Sequence, residues 1–251
     1  FFSNLKKYDL AVSQFLSVPA DADEFLKSRI GAVSILQQTR KYAQASLILE
    51  DILERSEYQE DLNLWLLQVK LFHEQRKFSE LKKLLPQLLE KFPNEQMLML
   101  EYAVVLQELN QDQECLQILD QLLAVNPNHQ EALNFIAYTY AEAGIQLDLA
   151  HRYVDQALKF DPQNPYFIDT KAWVFYKQGK YQEALEQMDR ALIFLPDDPV
   201  LLEHYGDILL ELGKGEESQV YFQKSLVMSQ ESDENNEMRK LKQRLKLKVK
   251  K

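Results

Sequence analysis

Asp161-Pro162-Gln163-Asn164-Pro165 is followed by Gly179-Lys180-Tyr181-Gln182-Glu183-Ala184-Leu185 and then by Arg190-Ala191-Leu192 and Pro196. Pro162 and Pro196 each follow an apolar helical stretch that a proline would terminate. Between them, Ile168, Ala172 and Phe175 fall on one face of a first helix, Gly179 breaks it, and Tyr181, Ala184, Met188 and Ala191 form one face of a second. Small residues at the centres of both faces predict two helices that cross closely, so 165–198 reads as an antiparallel helix pair.

The same punctuation runs outward in both directions. Prolines at 93, 127, 162 and 196 are spaced by 34, 35 and 34 residues, and a fixed period of that size is the mark of a repeat architecture. The units so defined are 62–95, 96–129, 130–164, 165–198 and 199–232. In the last, Leu202, Gly206 and Leu209 are followed by Gly213, Ser218, Phe222 and Ser225; earlier units carry Trp65, Val69, Phe72, Phe78, Leu81 and Leu85, then Met99, Ala103, Leu106, Cys115, Leu119 and Leu122. The unit 130–164 has one extra residue near Ile145–Asp148, which should lengthen its inter-helix turn without disturbing the stacked faces. Ala32, Tyr42, Ala45 and Leu49 mark a degenerate pair over 24–61, and 1–23 reads as the trailing part of a further repeat, with Lys7-Tyr8-Asp9-Leu10-Ala11 and Phe15 copying a second helix. Residues 233–251 read as a basic helix with a thin apolar stripe of Met238, Leu241 and Leu245, the usual way a solenoid is capped.

This pattern resembles the tetratricopeptide repeat: a large residue, a small one four later, an aromatic, a turn, then Ala, a large residue, Ala and Pro. The stretch from Asn134 to Pro196 carries it best. The resemblance implies an all-α, right-handed superhelical solenoid of antiparallel helix pairs with a C-terminal capping helix. It also implies which positions face the concave side, namely the second, fifth, ninth and twelfth of each unit. On this chain those are Glu131, Asn134, Tyr138 and Ala141, then Tyr166, Asp169, Trp173 and Tyr176, then Val200, Glu203, Asp207 and Leu210. Asn134, Tyr138, Tyr166, Asp169, Trp173, Tyr176, Glu203 and Asp207 make an aromatic, acidic groove, the expected site for a partner polypeptide carrying Lys or Arg. The alternative is that Tyr138 and Trp173 pack between repeats while Asp169 and Asp207 cap or bridge helices. On the groove reading, Trp173→Ala and Asp169→Lys should weaken partner capture with helicity nearly unchanged. Earlier units present a more apolar surface, with Asn63, Leu66, Lys70 and His73, then Met97, Leu100, Val104 and Gln107, suited to extending the groove or to self-association. The chaperone-tail clamp of the family, with Lys, Asn and Arg at groove positions, does not match, since Lys70 stands alone.

Composition narrows the function further. The 251 residues are 46% hydrophobic with 6 glycines and 8 prolines, enough apolar material for a core and too few turn formers for a sandwich of short strands. No stretch approaches the roughly 20 apolar residues of a membrane-spanning helix. The single cysteine, Cys115, excludes an internal disulfide and a cysteine-cluster metal site, and it sits where other units have Ala150, Ala184 and Ser218, as a buried small residue would. His73, His129, His151 and His204 are scattered, and the glycines fall at turns or helix crossings, so neither a metal site nor a phosphate loop is expected. No catalytic residues and no cofactor are expected.

The net charge of −10 is uneven, because 238–251 carries eight Lys or Arg and no acid, leaving −18 on the rest. Such a body repels nucleic acid. The basic tail has three readings: a solvated cap, a contact with acidic membrane or nucleic acid, and an intramolecular partner for the acidic body, with the cap as default. The last three repeats look like those of bacterial tetratricopeptide proteins, many of them envelope lipoproteins that serve as adaptors for proteases or assembly machinery. With no initiator methionine before Phe1-Phe2, a targeting segment is expected upstream, and a periplasmic chain tethered to the outer membrane is preferred to a cytoplasmic one. The function expected is a non-catalytic scaffold or adaptor. The alternatives are the substrate-selecting region of a larger enzyme and a self-assembling structural protein, which would be a homo-oligomer.

Overall fold

The computed structural model describes residues 2–231 and 236–249, without the side chains of 2–6, 231, 236 and 237. The described residues form fourteen helices and no strand. They fall into two compact units, Phe1–Val105 and Leu106–Lys251. The first holds α1 (Phe2–Leu16), α2 (Phe25–Gln38), α3 (Tyr42–Leu53), α4 (Leu62–Glu74), α5 (Phe78–Lys91) and most of α6 (Gln96–Glu108). The second holds the end of α6, then α7 (Asp112–Val125), α8 (Gln130–Ala143), α9 (Leu147–Phe160), α10 (Pro165–Lys177), α11 (Tyr181–Phe194), α12 (Pro199–Glu211), α13 (Gly215–Glu231) and α14 (Asn236–Lys248).

Each pair from α2–α3 to α12–α13 turns through one backbone device. Lys180 N–H donates to Phe175 O at 2.9 Å and Lys214 N–H to Leu209 O at 2.9 Å, as Lys41, Lys77 and Gln111 do to Leu36, Phe72 and Leu106. These are Schellman closures, and each places one residue in the left-handed region. Gly144, Gly179 and Gly213 serve in three turns, with φ of 67°, 74° and 77°; Arg40, Arg76 and Asn110 serve in the others at 55°, 57° and 58°. The extra residue of the 130–164 unit is Gln146. After Ile145 N–H closes onto Tyr140 O at 3.0 Å, Gln146 takes a left-handed φ of 49° before α9 begins.

Helix starts follow from local chemistry too. Asn164 Oδ1 accepts from the N–H groups of Tyr166 and Phe167, and Asp198 Oδ1 from those of Val200 and Leu201. Pro165 and Pro199 then occupy the first helical position, where the missing N–H costs nothing.

Packing is small-on-large throughout. In the first unit Phe25, Leu36, Leu49, Ile52 and Leu71 share a core, and the Phe15 ring of α1 lies against Gly31 of α2. In the second unit Ala172, Ala184 and Ala191 are fully buried, and a Cβ on Gly206 would meet the Phe222 ring at 2.5 Å. Met238, Leu241 and Leu245 of α14 pack onto Phe222, so the apolar stripe of the basic helix does cap the last pair.

Candidate functional site

The first helices of the last three pairs, α8, α10 and α12, carry the residues expected to form a groove. Tyr166 is 54% exposed, and Asn134, Tyr138 and Tyr176 are half-buried. Asp169, Trp173 and Glu203 are 5%, 7% and 1% exposed. The structure therefore brings most of these side chains together and buries three of them among neighbours of the same chain. Substitution of Trp173 or Asp169 consequently removes core contacts, so the expected insensitivity of helicity to Trp173→Ala and Asp169→Lys does not follow from this geometry.

At the centre is a ring stack. The Trp173 indole lies on the His204 imidazole at 4.0 Å between centroids and 14° between planes. Tyr176 stacks on Trp173 at 4.5 Å and 4°, and Tyr138 sits 6.4 Å from His204. Trp173 Nε1–H donates to Glu142. His204 Nδ1 meets Asp169 Oδ1 at 2.7 Å, both side chains buried. Burial pushes the imidazole toward neutrality, and the Asp169 carboxylate, by charge and hydrogen bond, with Glu203 and Glu142 behind it, carries its pKa up to about 9. His204 is therefore an imidazolium at neutral pH, in a favourable position over an indole face. Burial also raises Tyr176, aided by Asp207 and Glu211, to about 12.

Two acidic residues one turn apart on α12 face the basic helix. Arg244 grips Glu203 through Nε at 2.9 Å and Nη2 at 2.5 Å. Lys248 Nζ reaches Glu203 at 2.9 Å and Asp207 at 2.6 Å. Burial raises the Glu203 carboxyl, but Arg244 and Lys248 outweigh it and hold the group below the usual carboxylate range. Asp207 goes the other way, because burial, with Glu203 added, prevails over Lys248. Of the three readings of the basic tail, the structure combines two: α14 caps the last pair with its apolar stripe and pairs with the acidic body through Arg244 and Lys248.

Beyond this contact a cleft of about 560 Å³ opens between the α6–α7 turn, α8 and α14, with Asp112, Tyr138, Glu142, Lys240 and Arg244 on its walls. In the first unit a second cleft of about 570 Å³ gathers Asn63, Leu66, Lys70 and His73 with the exposed Met97, the more apolar surface legible in the early repeats. Cys115 is buried, and burial, then the nearby Asp112 charge, push its thiol up to about 12. That is the state of a packing residue rather than a nucleophile.

His204, Glu142, Arg244 and Lys248 were missed by sequence reasoning. His204 lies one repeat plus one residue beyond Asp169, a spacing that could have suggested the pair, whereas nothing in the sequence aligns Arg244 with Glu203.

The tetratricopeptide repeat family model matches residues 170–231. The curated TPR repeat-containing protein PA4667 of Pseudomonas aeruginosa is 26% identical over 96 residues, which are 38% of this chain and 16% of that protein. The chain thus matches only a small part of that relative's length. Among solved structures, a tetratricopeptide repeat protein from Parabacteroides merdae superposes with a TM-score of 0.69 at 18% identity, covering 88% of this chain and 85% of that one. PilW, described as a widely conserved type IV pilus biogenesis factor, gives 0.66 at 19% identity over 81% of this chain and 93% of its own. These likenesses show the fold. With the family match over 170–231, the fold is that of an all-α tetratricopeptide repeat solenoid.

Proposed function

We propose that this chain is a non-catalytic adaptor whose second unit receives a basic segment of another protein on the face formed by α8, α10 and α12. The observation that supports this reading is the pairing of Glu203 and Asp207 with Arg244 and Lys248: the face already accommodates a basic helix, that of its own C-terminus. Tyr138, Glu142 and Asp112 continue the same aromatic and acidic chemistry into the adjoining cleft. Aromatic rings there supply contact area at low entropy cost, and carboxylates steer cationic partners. The finer form of the proposal is an adaptor for a protease or assembly machinery of the bacterial envelope, held at the outer membrane. It rests on the resemblance of the last three repeats to those of bacterial tetratricopeptide lipoproteins.

Site-specific photo-crosslinking tests the reading. Benzoylphenylalanine at position 138 or 166 should crosslink to a partner segment rich in Lys and Arg. The same probe at Ile193, 75% exposed on α11, should not. Crosslinks that arise equally from position 193, or to acidic segments, would overturn it.

A further inference from the structure

Building on that proposal, we infer that α14 is a displaceable, built-in occupant of the docking face, and that the external partner it gives way to is an amphipathic helix with two cationic side chains one turn apart. Glu203 and Asp207 are four residues apart on α12, as are Arg244 and Lys248 on α14, and the ion pairs form a two-rung ladder between the helices. This spacing is the imprint of a helical ligand, since side chains four apart share one helix face.

Glu203 decides what can replace α14. It is 1% exposed beneath Arg244 and Lys248, and a buried carboxylate stripped of its cations is heavily penalised. An incoming segment must therefore bring its own Arg or Lys, which excludes neutral and acidic partners. The helix in place is not anchored by bulk: its buried apolar side chains are Met238, Leu241 and Leu245, while Leu247 is 70% exposed. Arg244 and Lys240 of α14 also form one wall of the cleft that holds Tyr138 and Glu142. A chain entering that cleft touches α14 directly, so entry and displacement are coupled. Covalent attachment gives α14 a high effective concentration, and a partner's apparent affinity falls by the fraction of molecules whose face is vacant. The tail thereby sets a threshold that weak or wrongly charged segments do not cross.

The test uses a fluorescein-labelled peptide of residues 236–251 titrated into the full chain and into the full-length Arg244→Gln, Lys248→Gln variant, read by anisotropy. That variant keeps the apolar stripe and loses both rungs. The peptide should bind it at least about tenfold more tightly than the unaltered chain, because the resident competitor is weakened. Equal or weaker binding to the variant overturns the inference while leaving an acidic docking face in place. No binding to either protein overturns both the inference and the proposed docking of basic segments. A second measurement needs no variant: hydrogen exchange of the unaltered chain with saturating, isotope-labelled peptide should show the α14 amides losing protection. Retained protection with peptide bound overturns displacement.

Discussion

His204 Nδ1 lies 2.7 Å from Asp169 Oδ1 across the α10–α12 packing, with both side chains shielded from solvent and the Trp173 ring covering the imidazole. Breaking one side of such a pair leaves an uncompensated buried charge, at a cost of about 3–5 kcal/mol. This ion pair ties α10 to α12, and Glu203, the neighbour of His204, meets Arg244 and Lys248 of α14.

Folding carries the His204 pKa from its ordinary 6.5 to about 9, so the imidazolium favours the folded unit. That contribution is complete below pH 6.5 and is lost as pH rises through about 9. The expected loss is on the order of 3 kcal/mol. Urea unfolding of a Trp65→Phe chain, in which Trp173 is the remaining indole, should show stability falling over this window. In the Asp169→Asn, His204→Gln double variant the slope should flatten, and an unchanged slope would refute the assignment.

Gly206→Ala should destabilise the second unit by roughly 1–3 kcal/mol, since a Cβ there would lie 2.5 Å from the Phe222 ring and the crossing is already filled. Gly215→Ala, with nothing within 4 Å of the added carbon, should change stability by no more than about 0.5 kcal/mol. Denaturant midpoints of the two variants make the comparison.

Arg40 is exposed and holds the left-handed turn between α2 and α3 at φ 55°. Arg40→Gly relieves a strain of about 1–2 kcal/mol and adds unfolded-chain entropy of about 0.4–1 kcal/mol. The net expectation is a gain near 0.5 kcal/mol in the first unit, visible as slower hydrogen exchange in α2 and α3; faster exchange would contradict it.

Trp173→Ala should cost about 3–5 kcal/mol of local stability, because the ring is buried between Tyr176 and His204. Tyr166→Ala, at an exposed position of the same helix, should stay within about 0.5 kcal/mol and reduce partner crosslinking instead. Circular dichroism melts beside crosslinking yields separate the two effects. A destabilised Tyr166→Ala with normal crosslinking would remove Tyr166 from the docking face.

The repeat was readable because its signals are local and recur with the period. Pro162 and Pro196 stop helices, Gly179 and Gly213 supply left-handed turns, and Ala172, Ala184 and Ala191 permit close crossings. Each acts through backbone geometry within a few residues of itself, so a linear pattern suffices to locate helices and to rank which faces are apolar. The basic, apolar-striped character of 238–251 was equally plain in the chain.

The fate of the groove residues was not, because it turns on how successive pairs rotate against one another and on where the last helix comes to rest. A stacked indole, a buried imidazolium and a carboxylate clasped by Arg244 depend on contacts 31 to 45 residues apart in sequence. The residues alone left α14 open to three roles and Trp173 to two. Side-chain packing joined two of the α14 roles and buried Trp173 against His204: burying Glu203 required cations from elsewhere in the fold, and α14, with Arg244 and Lys248 at the spacing of Glu203 and Asp207, brought them.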